Sequence, residues 1–123
     1  MNHDEFERIV MNKLLEGDTE ILAAFREQYT QATVVSREFT GVGFFTTFDV
    51  PTHLAYGSLR GRIDDVEALF PNNEEYFFIL YISDGKIKTL EGFGAVNGDW
   101  REDYEEASIL YFHDDRREYD LKE

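Results

Sequence analysis

The sequence predicts an α+β domain in which two N-terminal helices pack on one face of a mostly antiparallel sheet of about six strands. Three observations predict it. Apolar residues recur at helical spacing as far as Gln31; beyond it the pattern changes to β-branched and aromatic residues almost to the end; and no later helical stretch exists to carry a parallel crossover.

The first helix is expected over about 4–16, where Phe6, Ile9, Val10 and Leu14 share a face and Gly17 stands at the C-cap. Asp18 is the expected N-cap of a second helix over about 19–31. Thr19 and Glu20 suit its first turn, and Ile21, Leu22, Phe25 and Tyr29 form its stripe.

Strands follow near Thr33 to Phe39, Gly43 to Val50, Arg60 to Leu69, Tyr76 to Ser83, Lys86 to Phe93 and Ala107 to His113. The segment from Thr40 to Gly43 leaves two readings open, a hairpin turn or a bend in one long strand. A phosphate cradle is disfavoured there, because Gly43 is followed by the strand pattern FFTTFDV rather than by a helix N-terminus.

In YFFILYISDGKIKTLEGF, Asp84-Gly85 marks a two-residue type I′ turn. Counting outward pairs Ser83 with Lys86, Ile82 with Ile87, Leu80 with Thr89 and Phe78 with Glu91. Alternation then puts Tyr76, Phe78, Leu80, Ile82, Ile87, Thr89, Glu91 and Phe93 on one face, and Phe77, Ile79, Tyr81, Lys86, Lys88 and Leu90 on the other.

One domain over 1–123 is expected, with a solvated charged tail at 114–123. Hydrophobic residues make up 42% and aromatics 15%, enough apolar surface to offset chain entropy. With no Cys there is no disulfide framework, thiol nucleophile or Cys-based zinc site. The acidic start MNHDEFER lacks a signal-peptide pattern, and no apolar run is long enough to span a membrane, so a cytoplasmic protein is expected.

Twenty-six Asp and Glu against 12 Lys and Arg give a formal charge of -14. Nucleic acid and anionic membrane are disfavoured, because binding them needs clustered cations; a basic protein is the favoured partner. Solubility alone is the plainer account of the same charge.

Glu91 is a candidate ligand-binding residue, since the expected register sets its carboxylate beside Phe78 on an apolar face, where it must be paired, protonated or solvated. Arg37, Arg60, Arg62 or a tyrosine hydroxyl are its candidate partners. A bulge at Gly92 that turns Glu91 outward is the structural alternative. If the site were catalytic, Glu91 would be the general acid or base. Asp99, Trp100, Arg101, Glu102, Asp103 and Tyr104 form a second candidate, a patch for a basic partner; Trp100 capping the core is the alternative there. His3, His53 and His113 show no metal-binding spacing, and no cofactor is expected.

The stretch Arg37 to Thr46, with the later Asp84-Gly85, Leu90-Glu91-Gly92-Phe93 and a Trp, resembles a group of small uncharacterised bacterial proteins. The resemblance spans roughly Leu14 to Trp100, and where its members often carry Pro after the Trp this chain has Arg101. It implies a bacterial source and a compact α+β domain, and no reaction, ligand or partner. Two function classes remain: a non-enzymatic acidic module that masks a basic protein, like an immunity protein or antitoxin, and a small-molecule or enzymatic pocket around Glu91. A homodimer through an exposed edge strand is compatible with either.

Overall fold

Asn2 starts the first helix: its side-chain oxygen accepts the Glu5 N–H at 2.9 Å, and Asp4 and Glu5 place negative charge in the first turn. In the computed structural model, which describes residues 1–71, 73–94, 104–112 and 120–123, this helix, α1, runs His3–Leu14. It buries Phe6, Glu7, Val10, Met11 and Leu14, whereas Ile9, expected in the stripe, is exposed. Leu15 is its C-cap in place of Gly17. Arg26 Nη1 holds the segment that follows, donating to the Leu15 and Gly17 carbonyls at 2.6 and 2.8 Å.

Helix α2 runs Glu20–Gln31, and its N-cap is Thr19 rather than Asp18: Thr19 Oγ1 accepts the Leu22 N–H at 3.3 Å. Leu22, Phe25 and Gln28 are its buried residues.

The strands are β1 (Thr33–Phe39), β2 (Gly43–Asp49), β3 (Arg60–Leu69), β4 (Glu75–Ser83), β5 (Lys86–Gly94), β6 (Ser108–Tyr111) and β7 (Asp120–Lys122). They form one antiparallel sheet in the order β1-β2-β5-β4-β3-β6, with β7 also paired to β3. Both helices pack on one face, so the α+β expectation holds. No helix among the described residues is long and apolar enough to cross a membrane. The tail corrects the reading of a wholly solvated C-terminus: Leu121 pairs with Gly61 and packs against the core.

The segment from Thr40 to Gly43 turns a hairpin. Phe39 pairs with Phe44, the Thr40 N–H donates to the Gly43 carbonyl at 2.9 Å, and Gly41 takes a φ of 90° that favours glycine. Gly43 then passes so close to β5 that a Cβ on it would overlap the Gly92 carbonyl.

Asp84 and Gly85, at φ 53° and 72°, make the expected tight turn, and Ser83 and Ile82 pair with Lys86 and Ile87 as read from sequence. Beyond that the expected register fails. Lys88 is an extra residue, so Tyr81 pairs with Thr89, Leu80 with Leu90, Ile79 with Glu91 and Phe78 with Gly92. Burial decides the slip: strict alternation would put Thr89 and Glu91 under the helices, whereas the bulge buries Leu90, worth about 1.5–3 kcal/mol, and avoids an unpaired buried carboxylate. Glu91 and Phe93 therefore face away from the helices, and Leu90 faces them.

One buried polar side chain ties the layers together. Gln28 Nε2 donates to the Leu54 and Gly85 carbonyls, each at 2.9 Å, and its Oε1 accepts the Ile87 N–H at 2.9 Å. Helix α2 is thereby fastened to the β4–β5 turn and to the short 3-10 helix Thr52–Leu54.

Candidate functional site

Two polar arrangements lie on opposite faces of the sheet. The inner one is centred on Glu7, whose side chain is only 3% exposed. A bulge in β1 between Val34 and Ser36 sets its geometry, because it lets Val34, Arg37 and Phe39 all face the helices opposite Phe48, Thr46 and Phe44. Arg37 Nη2 donates to Glu7 Oε2 at 2.8 Å and its Nε to Oε1 at 3.3 Å, a bidentate pair. The Thr46 hydroxyl also donates to Oε1, and Arg37 Nη1 lies 3.3 Å from Asp4 Oδ1.

His3, wedged between the Phe39 and Phe44 rings, brings Nε2 to 3.4 Å from Glu7 Oε1. That contact is in ion-pair range but poorly aligned, and Nε2 is buried without a hydrogen-bond partner. Burial would raise the Glu7 carboxyl, but His3, Arg37 and Thr46 outweigh it and hold the group down at about 2. Such a carboxylate has no proton to give and little basicity at neutral pH, so it works as an anchor for Arg37 and not as a general acid or base.

Beside this pair is a cleft of about 450 Å³ lined by Asp4, Arg8, Tyr29, Val34, Arg37 and Phe48. Its floor is polar, yet Glu7 and Arg37 already neutralise each other. Burial first, and then the Glu7 charge, push the Tyr29 phenol up to about 12.

The outer arrangement is the open face of the sheet, organised in rows across the strands. One row reads Glu38, Phe45, Glu91, Ile79 from β1 to β4. The next reads Phe93, Phe77, Glu67, Leu110 from β5 to β6. The Phe77 ring lies 5.7 Å from Phe93 and 5.5 Å from Phe112, so three aromatics form a continuous stripe. On the other flank, Thr89, Tyr81 and Arg62 are aligned. The Tyr81 hydroxyl donates to Glu91 Oε1 at 2.8 Å, and burial together with this carboxylate raises the phenol. Phe45, Phe77, Ile79, Tyr81 and Phe93 are half-buried, while Leu110 and Phe112 are exposed.

The residues singled out from sequence are thus dispersed. Glu91 is on the open face with a tyrosine hydroxyl as partner, so it lines no pocket between sheet and helices; the bulge at Lys88 is the reason. Phe78 is on the opposite face, 1% exposed, against Phe6. Arg37 belongs to Glu7, and Arg60 is exposed at the start of β3 across from Lys122. Tyr104 is corrected from surface anchor to core residue: it is buried, stacks on Phe6 at 4.3 Å, and its hydroxyl lies 3.1 Å from His3 Nδ1. Asp99, Trp100, Arg101, Glu102 and Asp103 lie outside the described residues.

Sequence reading missed Glu7, although it sits one turn before Met11 on the buried side of α1, where a carboxylate requires a partner. Among the described residues no group of three His, Cys, Asp or Glu is placed to hold a metal ion. Compared with known proteins, the chain matches no family model, no curated protein and no solved structure.

Proposed function

We propose that the protein is a non-enzymatic binding module that masks a basic protein with the open face of its sheet, as an immunity protein or antitoxin does. The observation that carries the reading is a pair of rows on one face, the first alternating Glu38, Phe45, Glu91 and Ile79 and the second setting Phe93 and Phe77 beside Glu67. Half-exposed rings supply apolar anchors that hold a complex once formed. Carboxylates between them, on a chain of charge -14, steer a cationic partner and disfavour an anionic one. A second copy of the chain fits the face poorly, because it would set these glutamates against one another.

The test is affinity capture from the native host with three baits: the wild-type chain, a Glu38→Lys/Glu91→Lys variant of the open face, and a Glu27→Lys control on the exposed side of α2. A basic protein should be recovered by the first and third baits, be lost with the second, and be released by high salt. Equal recovery on all three, or recovery indifferent to salt, would overturn the reading.

A further inference from the structure

Strand β1 is one edge of the sheet, and nothing among the described residues pairs with its outer side. Natural edges are commonly guarded by Lys, Pro, a bulge or brevity. β1 is seven residues long, TVVSREF, without Lys or Pro. Its one cation, Arg37, is drawn into the pairs with Glu7 and Asp4, so its charge does not guard the edge. The bulge affects only the Val34–Ser36 end, and from Ser36 to Phe39 the pairing with β2 is regular.

The Thr40 N–H points to Gly43 on β2. Alternation therefore turns the Glu38 peptide groups toward β2 and those of Arg37 and Phe39 outward. The adjoining side chains are apolar and accessible: Phe39 is 57% exposed and Val35 63%.

We infer that β1 is a strand-addition site that takes an extended segment of a basic partner, with Lys or Arg at alternate positions and apolar residues between them. This rests on the reading of the protein as a receptor for a basic protein. A strand laid along β1 extends the row Glu38, Phe45, Glu91 by one position on the open face, where a cation meets Glu38. Its intervening residues point to the other face, beside the Phe39 ring.

A second copy is the wrong occupant. Antiparallel self-pairing centred on Arg37 or on Glu38 sets like charges directly opposite, which destabilises a ladder. Centred on Ser36, it runs the bulge against Arg37. Centred on Phe39, it reaches the Gly41 turn after one residue on either side.

The test is amide exchange and chemical-shift mapping of the whole chain, titrated at low salt with a short peptide of alternating Lys and Val. Its N-methylated counterpart and an alternating Glu-Val peptide are the controls. The Lys-Val peptide should slow exchange at Arg37 and Phe39 by about tenfold or more and shift Glu38 and Phe45, with neither control doing so. If the Lys-Val peptide and its methylated form shift Phe77 and Phe93 alike without protecting β1, strand addition is overturned and the basic-partner reading stands. If the Lys-Val peptide binds no better than the Glu-Val peptide, both are overturned. A protein that sediments as a dimer with Arg37 and Phe39 already protected would identify a second copy as the occupant and overturn the inference.

Discussion

Arg37 holds Glu7 through two hydrogen bonds, at 2.8 and 3.3 Å, and so joins the edge strand of the sheet to the first helix across a distance of 30 residues in sequence. The pair is nearly sealed from water on the glutamate side, which makes it a structural fastening whose loss is measurable.

Glu7 titrates in the folded chain at about 2 rather than at its ordinary 4.5, so the stability it contributes is complete above about 4.5 and is lost as pH falls toward 2. At 1.36 kcal/mol per unit, the contribution is about 3 kcal/mol at neutral pH. The Glu7→Gln variant should therefore unfold more easily by about that amount at pH 7 and lose most of its pH dependence between 4.5 and 2. Urea titrations of both chains across that window check it; parallel curves would mean that the pair contributes nothing.

Gln28 bonds three backbone groups, the part-buried Leu54 carbonyl and the buried Gly85 carbonyl and Ile87 N–H. Gln28→Leu keeps the volume but takes its partner from the Leu54 carbonyl and the Ile87 N–H, while the Gly85 carbonyl keeps the Tyr56 N–H at 2.8 Å; the cost is about 1–3 kcal/mol for each group left unsatisfied. Thermal unfolding should fall accordingly, and the Ile87 amide should exchange faster than its neighbours on β5.

A Cβ at Gly92 would overlap the Phe44 ring. Gly92→Ala should cost about 1–3 kcal/mol through displacement of that ring, an overpacking effect. Chemical shifts of Phe44 and His3, which meet edge to face at 4.5 Å, report the displacement directly.

Glu38 is exposed and Glu91 is half-exposed, held only by Tyr81 among the described residues. Reversing both charges should change stability by less than about 1 kcal/mol. The same double variant should slow association with a basic partner more than it speeds dissociation, and the difference from wild type should shrink with added salt. Stopped-flow kinetics at two ionic strengths separates these outcomes.

The element order and most of the strand spans were legible because their signals are local: period 3.6 before Gln31, β-branched and aromatic runs after it, and Asp84-Gly85 between two of them. The face of Glu91 was not legible. It depends on whether β5 alternates strictly or gains one residue at Lys88, a choice made by the burial of Leu90 against the helices, which is a tertiary competition. The same holds for β1, where the bulge turns Arg37 toward Glu7. β7 was missed because three residues in a charged tail carry no periodicity, and only the open side of β3 recruits them. Glu7 and Gln28 fall on the apolar stripes of their helices, so the signal was a polar residue at a core position, readable only once its partners are known.

The two margins of the sheet are unequal. On one side the ten residues of β3 are shared by fragments of four and three, while on the other β1 lies open in a single seven-residue run. An open strand edge is a template for another strand. Among the described residues both ends of β3 are already paired, so a strand that lengthens this sheet does so at β1, and the sheet grows from one side.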